Sequence, residues 1–538
     1  MFLVEVNMNL EIKAQLERYY DENAWKHITL GEALENWSEK YKNRTALSDC
    51  ESDELTYKEL SDEVDFYAQG LLNQNINKGD KVLLQLPNSI EFVIISFALF
   101  KMGAIPIMGF PAHREVEIKG ILEKTGAIAY IARDKYLGFS YTEMIRKIQK
   151  EIEIDLKIFI LGDNEEYNNF RFLRAKNKIT AGNKNKANYK DIALFLLSSG
   201  TTGISKLIPL KHCELLYVSE QLGLVTGLNI DTVYLAALPI AHKFTLCCPG
   251  TIGTLIFGGK SIICKTTSPD EIIPLIESEK VTITALVPTI ANMCIEFLDI
   301  DDFDISSLIT IQIGGSVLKP SSAKRIEKAF GCTLLQLYGT TEGQITCTRL
   351  NDNEFVRFHT QGKVLCKFDK AMIVDDSGIE VPDEEYGELI VRGPYTIYEY
   401  YRLEEVNKNC ITEDCYFKTG DKARKLKDGN YQIVGRLKEM INRAGEKIIP
   451  SEIEEVLLQN KDIIEVQVVG VPDEILGEKI GVFILKNDKE IDLNKIRTYL
   501  KEKGLAYFKL PDLVRYVDSW PLTSVGKINK DKLRNLVL

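Results

Sequence analysis

Short apolar runs alternating with helical patterns restrict what this chain can fold into more than any other feature. Residues 281–287 and 308–313 are rich in Val, Ile, Leu and Thr, and read as strands buried on both faces. A helical pattern at 64–72 is broken at 77–80 and followed by a strand at 81–86. Residues 92–100 are apolar throughout apart from one serine; the run is too short to cross a bilayer and reads as a buried helix. Such alternation predicts an α/β fold, a large multi-layer N-terminal body. With 538 residues, 45% of them hydrophobic, the chain can bury a core large enough for two or more domains.

The apolar run 192–197 leads into Ser198, Ser199, Gly200, Thr201, Thr202, Gly203, Ile204, Ser205 and Lys206. Glycines let backbone N–H groups approach phosphate oxygens, hydroxyls donate, and Lys206 supplies charge. The spacing is not that of the Walker loop. The other reading of such a stretch is a solvated Ser/Thr/Gly turn. Residues 164–190, rich in Asn, Lys and Glu, read as an exposed connection before this loop.

A net charge of −11 argues against a broad nucleic-acid-binding surface. The eleven cysteines include no CxxC pair and suggest reduced thiols. None of the five histidines has zinc-like spacing to another or to a cysteine. The N-terminus lacks a basic flank and an unbroken apolar stretch, so a soluble, cytoplasmic protein without a membrane span is expected. A boundary near 435–438 divides the chain into residues 1–436 and a smaller α+β unit at 437–538. Within that unit 453–458 and 495–500 read as helices, and 466–471 and 480–485 as strands.

Five motifs occur in one order: 198–206, Tyr338-Gly339-Thr340-Thr341-Glu342-Gly343, Lys418-Thr419-Gly420-Asp421, Gly435-Arg436-Leu437-Lys438, and Pro521-Leu522-Thr523-Ser524-Val525-Gly526-Lys527. In this order the chain resembles the adenylate-forming superfamily of acyl-CoA synthetases, luciferases and adenylation enzymes of nonribosomal peptide synthesis. The stretches 110–114, 234–242, 284–288 and 392–397 are most similar to stand-alone 2,3-dihydroxybenzoate- and salicylate-AMP ligases of siderophore assembly.

The resemblance implies a reaction of an aromatic carboxylic acid with ATP, giving an acyl-adenylate and pyrophosphate. It assigns Ser199, Thr201, Thr202 and Lys206 to the β- and γ-phosphates, Thr341 to the α-phosphate and Glu342 to Mg²⁺. Asp421 takes the ribose hydroxyls, with Arg436 nearby, and Tyr338 stacks on adenine beside Gly314, Gly315 and Ser316. Lys527 bridges the carboxylate and the α-phosphate. Lys438 is the hinge of a mobile C-terminal domain that serves two half-reactions. Residues 442–447 belong to the second face of that domain, where Ala444 replaces one of two usual glycines and positive φ would be costly. Taken singly, Asp421 fits a turn former, Glu342 a helix-cap neighbour and Lys527 a solvated loop charge.

His242, Lys243, Phe244, Cys248, Gly314, Leu337 and Ile345 are implied to line the acyl pocket, with His242 as its gate and no acid–base work. Lys243 stands where asparagine is usual. Either it points inward and favours an anionic or strongly accepting ring substituent, or it snorkels outward and leaves an apolar pocket. An inward ammonium needs a partner. The chain carries no fused carrier domain in these residues, so the acceptor thiol is expected on a carrier protein in trans, with free coenzyme A as the alternative.

Overall fold

A computed structural model describes residues 10–22, 24–50, 53–179, 187–198, 205–486, 490–523 and 526–537. The body is layered α/β. A nine-stranded sheet has six neighbouring parallel strands: Thr45–Asp49, Lys260–Ile263, Val233–Ala236, Ile283–Leu286, Thr310–Gly314 and Thr333–Thr340. The antiparallel strands Gly343–Cys347 and Lys363–Val364 extend one edge. A seven-stranded sheet is centred on Lys81–Gln85, and a four-stranded antiparallel sheet runs from Lys370–Val374 to Tyr431–Arg436.

The expected buried helix is Ile90–Met102, in which every residue from 92 to 100 is buried. The Ser89 hydroxyl accepts from the Phe92 N–H and caps its start. That cap contributes about 1 kcal/mol, and each large apolar side chain buried there adds about 1.5–3 kcal/mol.

The segment before the phosphate loop departs from the expected exposed connection. Phe170 and Leu173 are 1% and 0% exposed and dock on helix Tyr57–Asn73, where Phe170 lies 5.3 Å from the Tyr67 ring. The two side chains are spaced to reach one helix groove, and this outweighs the polar composition around them.

Beyond residue 437 a five-stranded sheet pairs Ile441–Arg443 with Glu446–Ile448, and Val466–Asp473 with Gly477–Leu485; Leu513–Val517 pairs with Gly477–Leu485 in parallel. Helices Pro450–Leu457 and Leu493–Glu502 cover it. Most buried apolar residues up to Ile433 form one cluster, and most of those from Ile441 to Leu533 form two others. Among the described residues no disulfide is formed and no helix is long and apolar enough to cross a membrane.

Candidate active site

The site forms where the parallel strands of the nine-stranded sheet end. Strand Thr310–Gly314 finishes at Gly314, opposite Leu337 of the neighbouring strand. A Cβ on Gly314 would sit 2.7 Å from the Leu337 carbonyl and 3.2 Å from Cζ of Phe244, so the absent side chain is what lets the Phe244 ring reach the sheet. Gly315 has φ +86° and Ser316 follows it on the exposed rim. A Cβ on Gly315 would lie 3.1 Å from Cε of Lys527. One backbone turn therefore touches both the apolar pocket wall and the C-terminal lysine.

Strands Thr333–Thr340 and Gly343–Cys347 pair through Thr340 and Gly343, which leaves Thr341 and Glu342 as the tip of a tight hairpin. The tip is held from two sides. The Glu342 carbonyl accepts the Ile397 N–H at 2.7 Å, and the Thr341 carbonyl accepts Nζ of Lys243 at 3.2 Å. The Tyr400 hydroxyl donates to Oε1 of Glu342 at 2.8 Å, and Nζ of Lys206 lies 4.5 Å from the centre of the same ring. Among the described residues the other carboxylate oxygen of Glu342 has no hydrogen-bond donor. Ser199, Thr201 and Thr202 lie outside the described residues. The feet of their loop are paired: the Ser198 N–H donates to the Lys206 carbonyl and the Lys206 N–H to the Ser198 hydroxyl, both at 3.0 Å.

Asp421 comes from strand Phe417–Lys425, in register with Arg436 on Tyr431–Arg436. It is 5% exposed. Its Oδ2 accepts the Tyr338 hydroxyl at 2.6 Å and its Oδ1 stands 3.4 Å from Nε of Arg436. Burial raises its pKa, and Arg436 and the Tyr338 hydroxyl only partly offset this.

Lys527 arrives from the far end of the chain in a turn closed by Thr523, whose N–H donates to the Lys527 carbonyl at 2.7 Å. Burial, then the neighbouring Arg436, pull its ammonium down to about 8 against the opposing charges of Asp421 and Glu342. His242 is held near 3 by burial and by the cations Lys527 and Lys243, so it is neutral at ordinary pH. Its Nδ1 accepts the Phe244 N–H at 3.2 Å and caps helix Lys243–Cys247. These shifts group His242, Arg436, Asp421, Glu342 and Lys527 in one electrostatic neighbourhood. Lys438 is exposed in the single turn Leu437–Glu439.

Lys243 is 3% exposed, which excludes the outward alternative. Its ammonium has the Thr341 carbonyl as acceptor, faces the Tyr395 ring at 5.6 Å, and forms no ion pair with a carboxylate among the described residues. Cys248 and Ile345 are buried, as is Leu337. Tyr400 lies outside the stretches singled out in the sequence, and Tyr395 and Ile397 lie within 392–397 without an assigned role: no local pattern indicates that a segment so distant in the chain braces the hairpin tip.

Residues 34–401 match the AMP-binding enzyme family and residues 452–527 match the AMP-binding enzyme C-terminal domain. The chain is 39% identical over 521 residues to the 2,3-dihydroxybenzoate-AMP ligase of Bacillus subtilis, covering 97% of this chain and 96% of that one. It is 35% identical to the salicyl-AMP ligase / salicyl-S-ArCP synthetase of Mycobacterium tuberculosis, covering 94% and 90%. The apo structure of MbtA from Mycobacterium smegmatis superposes with a TM-score of 0.75 at 32% identity, covering 97% of each chain.

Proposed function

This chain belongs to the AMP-binding enzyme family, and we propose that it is an aryl-acid–AMP ligase. In this reading it joins a substituted benzoate-type carboxylate to ATP with release of pyrophosphate. It then transfers the aryl group to the phosphopantetheine thiol of a carrier protein supplied in trans. The observation that carries the reading is the meeting of Lys527 with Gly315, Glu342, Asp421 and Arg436 around one strand-end cleft.

A carboxylate is a weak nucleophile, and its attack on the α-phosphorus gathers negative charge. Positioning and positive charge therefore matter more than a general base. Lys527 holds the carboxylate and α-phosphate together, and Thr341 supports the α-phosphate from the hairpin tip. Lys206, with Ser199, Thr201 and Thr202, holds the outer phosphates. Asp421 receives the ribose hydroxyls in exchange for part of its contact with Tyr338, whose ring is left to stack on adenine. Neutral His242 gates the pocket formed by Phe244, Cys248, Gly314, Leu337 and Ile345. Residues 437–538 act as the mobile unit, hinged at Lys438.

Glu342 suits Mg²⁺, which takes one or two carboxylates together with substrate phosphates: one of its oxygens is steadied by Tyr400 and the other has no protein donor among the described residues. Held by Glu342, the ion would supply positive charge against the phosphates. The buried ammonium of Lys243 favours a ring substituent that accepts hydrogen bonds.

Carboxylate-dependent pyrophosphate exchange over substituted benzoates, picolinates and anthranilates tests the reading. Exchange with ring-substituted aromatic acids, and a changed order of preference in Lys243→Asn, is the expected result. Equal exchange with aliphatic acids, or none with any acid, contradicts it. Comparing thioester yield on a phosphopantetheinylated carrier with that on free coenzyme A decides the acceptor; the carrier is expected.

A further inference from the structure

The apolar clusters of the body and of the C-terminal unit are separate, yet the C-terminal unit carries Lys527 to the site beside Gly315. Buried polar contacts bridge the two parts. Lys319, on the segment that also carries Gly315, places Nζ 3.0 Å from Oε2 of Glu454 and donates to the Val466 carbonyl at 3.2 Å. The two side chains are 13% and 7% exposed. The other oxygen of Glu454 accepts the Val468 N–H at 2.7 Å, so the carboxylate is fixed within its own unit and presents one oxygen to the body. Beside this pair, Nδ2 of Asn292 donates to Oε1 of Glu465 at 2.6 Å, while Arg325 donates to Oδ1 of Asn292 at 2.8 Å.

We propose that Lys319 and Glu454 latch the C-terminal unit to the body in the arrangement that brings Lys527 to the nucleotide site. Lys319 is then a positioning residue for adenylation; the inference rests on the function proposed above. A buried ion pair suits this use better than an apolar seam. Its attraction is largely offset by desolvation, and both charges recover their hydration on separation, so the docked state is specific in geometry without being permanent. The Lys530–Glu439 pair, 2.8 Å, lies between the hinge turn and the segment after Lys527, and steadies that segment whether or not the unit is docked.

The latch predicts an effect confined to one half-reaction. The charge of Lys527 is needed while a carboxylate approaches the α-phosphate. Attack of a thiol on a finished aryl-adenylate has no such requirement.

Full-length wild type, Lys319→Met and Lys319→Arg are compared in pyrophosphate exchange and in thioester formation from supplied aryl-adenylate. The expected result is an exchange rate lowered roughly tenfold or more in Lys319→Met, the loss of one charge-assisted contact in the docked state. Thioester formation should stay within about twofold, and Lys319→Arg should recover most of the exchange. Thermal melting checks folding, with Lys319→Gln measured in the same way if the methionine variant does not fold. Unchanged exchange in a folded neutral variant overturns the latch, as does an equal fall in both half-reactions. Wild type lacking exchange with every acid overturns the functional reading and the latch's part in it together.

Discussion

The two sides of the cleft are built differently. On the body side, Glu342 stands at a hairpin tip and Asp421 on a paired strand, and each is fixed by a tyrosine hydroxyl, Tyr400 and Tyr338, at 2.8 and 2.6 Å. On the C-terminal side, Lys527 belongs to a turn closed by Thr523, and the unit carrying it meets the body through polar pairs such as Lys319–Glu454. In the proposed account the body side is fixed when the body folds and the lysine is supplied by docking. Binding and chemistry should therefore separate under mutation.

The sharpest way to break this contrast is Lys527→Ala. It should lower carboxylate-dependent exchange by about 10²–10³-fold, the usual cost of removing one preorganised stabilising group, while the KM for ATP changes little. A variant that loses ATP binding instead would put Lys527 in the binding wall. Asp421→Asn should do the reverse: a KM for ATP raised roughly tenfold or more, with kcat at saturating ATP much less affected. If both variants move the same parameter, the two sides are not distinct.

The pH profile sharpens the same point. Lys527 is pulled down to about 8, and the proposed chemistry uses its ammonium. kcat/KM, which reports the free enzyme, should fall as pH rises through about 8. Lys527→Arg, whose guanidinium stays charged, should move that limb upward even if its rate is lower. The stability sign is opposite: a lysine depressed on folding binds fewer protons than the unfolded chain between its two pKa values, so its contribution to stability rises with pH there. A limb that does not move in Lys527→Arg assigns it to another group.

The smallest expected effect concerns the hairpin at 441–448. Ala444 sits at φ +53° and Gly445 at φ +90°, so alanine occupies a left-handed position that costs an L-residue about 1–2 kcal/mol. Ala444→Gly should stabilise the C-terminal unit by about 1 kcal/mol or less, since glycine also loosens the unfolded chain. A destabilised variant would mean that the methyl group makes a contact worth more than the strain.

The family was legible in the ordered motifs because they are recognised by residue identity, as with the hydroxyls before Lys206, Glu342 at a glycine turn and Lys527 after Gly526; the roles given to those residues belong to the proposal. The layered fold was legible from strand-length apolar runs, as at 281–287, found as Ile283–Leu286. What stayed hidden depends on long-range contact. Nothing local to Tyr400 tells of its bond to Glu342, and nothing near Lys319 announces Glu454. The direction of Lys243 was open because a lysine among apolar residues can snorkel or turn in; the Thr341 carbonyl decides it. Phe170 and Leu173 were overlooked because composition averaged over a polar stretch conceals two well-spaced anchors.

A crystal structure of the chain with ATP and an aromatic acid tests the central claim most directly. One nucleotide should lie in the strand-end cleft, with Asp421 on its ribose and Nζ of Lys527 within about 3 Å of both the acid's carboxylate and the α-phosphate. A nucleotide bound elsewhere, or bound in the cleft beside an aromatic acid that Lys527 does not touch, would contradict the account.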